Sequence, residues 1–253
     1  MIRRAAPALL AVVATLAGCG GGDRPAMPPA RTVAAAPSAA PAAVAATVVP
    51  PPRGRRPEFL SAGLLRATTL RTRPGGPALG RLARKTPFGS PRILSVVGQR
   101  GAWLRVLDAN LPHGASGWIS ARDVLMYPVD WRVDVSLTAR QVTVRRGGRV
   151  ARRFVVAIGR PTNPTPPGRY AVTDKVRMRD PGGPYGCCAL ALTGHQPNVP
   201  QGWGGGDRLA IHGTDAPGSI GLAASLGCLR AGDGDVHWIV THVPLGTPVF
   251  IRA

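Results

Sequence analysis

The chain is 253 residues long, with 32 lysines and arginines against 12 aspartates and glutamates, a formal charge of +20 and four cysteines. That length admits one large domain or two small ones, and four cysteines without a Cys-x-x-Cys pair exclude a dense disulfide framework and give no zinc signature. The charge is carried almost wholly by arginine, Lys85 and Lys175 being the only lysines, and in a cytosolic chain it would point to nucleic acid.

An export signal turns that reading aside. Met1 to Gly18 opens with Arg3 and Arg4, runs through Leu9, Leu10, Val12 and Val13, and closes on Leu16-Ala17-Gly18 before Cys19. Its apolar run falls well short of the roughly 20 residues that a spanning helix needs. The small residues before Cys19 resemble a bacterial lipobox, in which the cysteine is lipidated and anchors the protein to the outer face of a membrane. A plain secretory signal with an incidental cysteine is the alternative. Outside the cytoplasm the polyanions at hand are lipid headgroups and wall polymers, so no nucleic-acid partner is expected. Wall attraction and a coding bias toward arginine explain the charge equally well.

Residues 19–58 are mostly Ala, Pro, Val and Gly, including Pro50-Pro51-Pro52. Such a stretch cannot bury a core and reads as an extended linker. Residues 59–127 carry short apolar runs split by Gly75-Gly76, Gly89-Ser90-Pro91, Gly101 and Pro112-His113-Gly114, the pattern of a small all-β unit. Leu70 to Pro74, Gly101 to Val106 and Gly117-Trp118-Ile119 resemble the bacterial Src-homology-3-like domain. Alternation sets Trp103 and Val106 on different faces, which leaves Trp103 as core or as ligand platform, with core favoured.

Residues 128–253 change pattern. Val133, Val135 and Leu137 alternate, then Val142 and Val144, and after Gly147-Gly148 come Phe154, Val156 and Ile158, which predicts a hairpin. Further strands are expected at Leu209–Ile211 and Val249–Ile251. One short helix is expected from an N-cap at Asp233, with Val236, Trp238, Ile239 and Val240 as its apolar residues and Pro244 as its stop.

Chemistry concentrates in Ile211-His212-Gly213-Thr214, Ser219-Ile220-Gly221 and Ser225-Leu226-Gly227-Cys228-Leu229-Arg230. A thiol with an ordinary pKa near 8.5 needs a neighbouring imidazole to act as a nucleophile near neutrality. His212 can supply one to Cys228, and backbone N–H groups near Cys228 can receive an oxyanion. The flanking Gly, Ser and Arg suit a reactive thiol better than an inert core cysteine. With Cys19 lipidated, Cys187, Cys188 and Cys228 form an odd set, which implies a free thiol. A bridge between the adjacent Cys187 and Cys188 is disfavoured, and pairing of either with Cys228 would act as a redox lock. His113, His195, His237 and His242 read as structural, and Gly202 to Gly206 as a cover near the cleft.

This constellation resembles the signature of the L,D-transpeptidase catalytic domain family, a His-Gly followed by Ser-any-Gly-Cys-apolar-Arg. Thr165-Pro166-Pro167-Gly168-Arg169-Tyr170, Gly183-Pro184-Tyr185-Gly186 and Pro244 to Val249 resemble further family motifs in the same order, so the likeness spans about Asp130 to Ala253. Together the two resemblances imply a mainly β fold: a small Src-homology-3-like barrel, then an L,D-transpeptidase-type β-sandwich with one short helix.

By the same resemblance Cys228 is the nucleophile, His212 its base and the Gly213 carbonyl region the orienting group. Arg230, Ser225, Gly227 and Tyr185 serve the substrate, and Cys19 is the lipidation site. Leu226 departs from the histidine that many members carry. The implied substrate is a peptidoglycan stem tetrapeptide, cleaved before its terminal D-alanine and joined in a 3→3 cross-link, with no metal or organic cofactor and with the protein acting as a monomer. An L,D-carboxypeptidase using the same site, and a non-catalytic wall-binding lipoprotein, are the alternatives.

Overall fold

The computed structural model of the protein describes residues 57–199 and 206–253. The export signal, Cys19, the linker as far as residue 56 and nearly all of the Gly202 to Gly206 stretch lie outside the described residues.

The first half forms a seven-stranded sheet from β1 (Phe59–Leu64), β2 (Thr68–Arg71), β3 (Ala78–Leu82), β4 (Ile93–Arg100), β5 (Trp103–Leu107), β6 (Gly117–Ser120) and β7 (Val124–Val129). Its order is β3-β2-β6-β5-β4-β1-β7, with every neighbour antiparallel. Leu70, Leu82, Leu104, Val106 and Ile119 are buried within it. Along β5 the alternation turns Leu104 and Val106 inward, which sends Trp103 to the opposite, half-buried face. Trp103 is therefore not part of this core, contrary to the expectation from its size; the pleat, once Leu104 and Val106 are inside, leaves it no place there.

The second half supplies β8 (Trp131–Ser136), β9 (Gln141–Arg146), β10 (Arg149–Val155), β11 (Ile158–Gly159), β12 (Gly168–Arg177), β13 (Cys188–His195), β14 (Arg208–His212), β15 (Ala223–Ser225), β16 (Leu229–Arg230), α1 (Asp233–His242) and β17 (Pro248–Arg252). Eight of these strands form one sheet, ordered β10-β9-β8-β17-β12-β13-β14-β16, and β11 pairs with β15 in a small parallel sheet. The expected β9–β10 hairpin turns at Gly147 and Gly148, both in the left-handed region at φ +56° and +80°, where a side chain would be strained. Val133, Val135, Val142 and Val144 alternate into the core as their spacing predicts. The described residues are thus mainly β, with α1 their one α-helix.

Val236, Ile239 and Val240 are buried on one side of α1, which packs against β13 and β14. Each such side chain contributes about 1.5–3 kcal/mol when fully buried. The helix begins one residue earlier than expected. Gly232 is the N-cap and makes no side-chain bond, and Asp233 is the first helical residue. Its carboxylate instead accepts from the Cys187 N–H at 3.2 Å, which ties the helix start to the loop before β13.

That loop carries a second departure from expectation: Cys187 and Cys188 are joined to each other. Adjacent side chains diverge within a strand, but β13 begins only at Cys188, so the alternation that would separate the pair is not yet established. Cys228 is a free thiol.

Buried and half-buried hydrogen bonds join the two halves. Ser61 Oγ donates to Gly246 O at 3.0 Å, His195 Nε2 lies 2.7 Å from Ala109 O, and His113 Nε2 lies 3.0 Å from the hydroxyl of the buried Tyr170. His113 and His195 therefore have the structural role read from the sequence.

Candidate active site

Parallel pairing of β14 with β16 sets Ile211 opposite Leu229 and His212 opposite Arg230. Side chains paired across a ladder share a face, and they alternate along each strand. Cys228, just before β16, lines the same cleft as Ala210, and alternation along β14 puts Ala210 on the face that carries His212. On the other side of β14 the same face continues through β13, where Ala189 pairs with His212 and Ala191 with Ala210. The floor beside the thiol is consequently built of alanine methyl groups.

A tight turn delivers Cys228 to this position. Ser225 Oγ donates to Cys228 O at 2.6 Å and accepts from Gly227 N at 3.0 Å. Gly227 sits at φ +118°, and a Cβ there would stand 2.3 Å from Gln196 Nε2, so only glycine fits. Thr165 Oγ1 clamps the turn from below: it donates to Gly227 O at 2.8 Å and accepts from Gly159 N at 2.8 Å. Because the Gly227 N–H is already bonded to Ser225, it is not among the oxyanion donors anticipated near Cys228.

His212 is 3 % exposed, and its Nδ1 lies 2.6 Å from Gly213 O. A carbonyl only accepts, so Nδ1 carries the proton and Nε2 keeps the free lone pair. Burial pulls the imidazole down to a pKa of about 4; the positive charge of Arg230 acts in the same direction and the Gly213 carbonyl opposes it. Burial also pushes the Cys228 thiol up, against a backbone hydrogen bond at Ala210 and the attraction of Arg230. At rest the pair is a neutral imidazole and a protonated thiol, whose Sγ lies 3.6 Å from Arg208 O.

The Tyr185 ring packs 4.8 Å from that of His212 between centroids. Arg230 is half-buried, and its Nε has no hydrogen-bond partner among the described residues. Cys228 opens on a cleft of about 240 Å³ whose walls include Phe88, Val176, Met178, Tyr185 and Leu226. Among the described residues no group of three or more His, Cys, Asp or Glu is arranged to hold a metal ion.

Of the residues singled out in the sequence, Cys228, His212, Gly213, Tyr185 and Arg230 come together here, with Ser225 and Gly227 forming the turn beneath them. Cys19 lies outside the described residues. Sequence reasoning missed the clamp by Thr165, the contact of Gln196 with Gly227 and the arrival of Phe88 from the first sheet. Thr165 stood in a recognised motif, but nothing local tied it to Gly227; Phe88 carried no signal at all.

The family model of the YkuD L,D-transpeptidase catalytic domain matches residues 130–251. The putative L,D-transpeptidase YkuD of Bacillus subtilis (strain 168) is 35% identical over 126 residues, covering 50% of this chain and 68% of that protein. Its namesake in Bacillus licheniformis is 33% identical over 153 residues, covering 58% and 84%. Among solved structures, an L,D-transpeptidase from Mycobacterium tuberculosis H37Rv superposes with a TM-score of 0.41 at 19% identity, covering 56% of this chain and 67% of that one.

Proposed function

The chain belongs to the L,D-transpeptidase catalytic domain family, and from that premise we propose that it is a peptidoglycan L,D-transpeptidase of the cell envelope, a cysteine acyltransferase with Cys228 as nucleophile and His212 as base. One observation carries the assignment of roles. A free thiol opens on an apolar cleft walled by the face of β14 that also carries an imidazole whose Nδ1 is tied to a carbonyl.

With a neutral imidazole and a protonated thiol at rest, proton transfer accompanies attack. His212 Nε2 takes the Sγ proton as sulfur adds to the carbonyl of the donor's diamino acid. The imidazolium returns that proton to the amine of D-alanine as the C–N bond breaks, leaving a thioester on Cys228. A side-chain amine of a second stem peptide then adds to the thioester and gives its proton to Nε2. Sulfur leaves, recovers the proton as a thiol, and a 3→3 cross-link remains. Arg230, charged and with its buried Nε–H unpartnered among the described residues, suits the carboxylate of the departing D-alanine. The N–H of Cys228 itself is the nearest remaining candidate for the oxyanion. Lipidation of Cys19 would anchor the enzyme at the membrane, with the linker giving it reach into the wall.

The reading is tested by incubating the reduced protein with a carbapenem and recording intact mass beside a Cys228→Ala variant. An adduct of the drug on the parent alone is expected; an unmodified parent overturns it. Muropeptide products analysed by mass spectrometry then identify the acceptor, since 3→3 dimers require an amine and trimmed monomers alone would mean water.

A further inference from the structure

One wall of the cleft beside Cys228 comes from the other half of the chain. Phe88 lies in the loop between β3 and β4, is 57% exposed, and lines the same cleft as Val176, Met178 and Cys228. An isolated exposed aromatic calls for no explanation, but this one is held in place by an extensive set of bonds. Thr86 N donates to Ser90 O at 2.9 Å and Gly89 N to Thr86 O at 3.0 Å, closing the loop on itself. At its base Arg92 donates to Ala83 O at 2.9 Å and pairs with Asp108 at 2.6 Å, both charges being buried. The Thr86 hydroxyl then bonds to the fully buried carboxylate of Asp174 on β12. That anchor fixes a register between loop and strand: Thr86 on Asp174, and two residues further along each, Phe88 beside Val176.

What this part of the cleft offers a ligand is hydrocarbon. Gln196 donates to Pro164 O at 2.7 Å and accepts from Asn198 N at 3.1 Å, and the Arg208 guanidinium donates to Leu192 O and to Thr173 Oγ1. These polar side chains are occupied within the protein. Asp207 is likewise engaged, by His195 at 2.9 Å, and the side chains of Phe88, Val176, Met178, Ala189, Ala191 and Ala210 make this part of the cleft an apolar trough. A peptide backbone cannot be satisfied there, because its N–H and C=O groups would lose water without replacement. An aliphatic side chain can.

We propose that Phe88 is a specificity-determining residue that packs against the methylene run of the donor's diamino acid, the residue whose carbonyl Cys228 attacks. This inference rests on the transpeptidase reading above. That residue is bonded directly to the reacting carbon, so its side chain must lie within a few ångströms of Sγ, and it is the one part of the donor that combines a long apolar stem with an amine able to stay in solvent. The first sheet thereby acts on substrate choice through a single ring.

The test measures KM on the full chain for two donor tetrapeptides, one with the long diamino side chain and one with that side chain cut to a single methylene before the amine. The parent is expected to favour the long donor by about tenfold, which is 1.4 kcal/mol. Phe88→Ala should abolish that preference while Phe88→Leu retains most of it, with thermal midpoints showing all three folded. A preference left intact in Phe88→Ala overturns the inference, as does an equal rise in KM for both donors, which would make the ring merely structural. Carbapenem acylation of the parent keeps the two levels apart: a parent that is not acylated refutes the catalytic reading itself, whereas an acylated parent with an indifferent Phe88 refutes only the role of the ring.

Discussion

Thr165 donates its hydroxyl proton to the carbonyl of Gly227 at 2.8 Å, across 62 residues of chain, and the same oxygen accepts from the Gly159 N–H. Both bonds are buried, so Thr165→Val strands a carbonyl and an N–H away from water, at a cost of about 1–3 kcal/mol. Thr165→Ser keeps the hydroxyl and should recover most of the loss. Urea denaturation of the three proteins reads the stability, and the carbapenem acylation rate reads whether the turn still presents Cys228.

Gly227→Ala attacks the same turn from the other side. Its left-handed φ and the closeness of Gln196 cost roughly 1–3 kcal/mol of backbone strain, and a displaced thiol should slow acylation by about tenfold or more. Gly218→Ala is the comparison, because nothing lies within 4 Å of a Cβ there. Single-turnover acylation should separate the two variants cleanly.

His212 makes stability depend on pH. Its folded pKa of about 4 lies below the ordinary value of 6.5, so between those limits the unfolded chain binds a proton that the folded chain refuses. Stability is therefore complete above pH 6.5, falls as the pH drops, and levels off below pH 4, a total of about 3 kcal/mol. Thermal midpoints measured across that window should slope downward toward acid in the parent and lose this component in His212→Gln. The same depression predicts that the acid limb of the acylation rate lies near pH 4.

Arg92 and Asp108 form a buried ion pair at 2.6 Å, with side chains 8% and 2% exposed. Arg92→Met leaves the Asp108 carboxylate without its cation and should cost about 3–5 kcal/mol. Arg92→Met combined with Asp108→Leu removes both charges and should restore much of the loss, by the same principle. Urea titrations of parent, single and double variants provide the check.

Much of the fold can be read along the chain because its causes are local. Alternation at Val133, Val135, Val142 and Val144 marks strands that bury one face, and Gly147-Gly148 marks their hairpin through dihedrals that other residues resist. The spacing of Val236, Ile239 and Val240 marks the buried side of the one α-helix among the described residues. The helix start was misplaced by one residue because Asp233 turned its carboxylate to Cys187, a partner that no capping pattern predicts. Trp103 was assigned inward on its size, but size does not decide which face of a pleat a residue occupies.

By itself the sequence determined the chemical inventory: a Cys, a His and an Arg set among glycines in the order of a known family. Only the tertiary structure decided how that inventory is arranged. The turn before β16 delivers Cys228 to the cleft beside the β14 face of His212, a hydroxyl from Thr165 holds that turn, and Phe88 is carried into the cleft on a loop of a separate sheet. The reason is physical. Backbone preferences and hydrophobic periods act over a few residues and are written in the chain, whereas strand pairing between distant segments is settled by which buried groups find partners when the whole core closes.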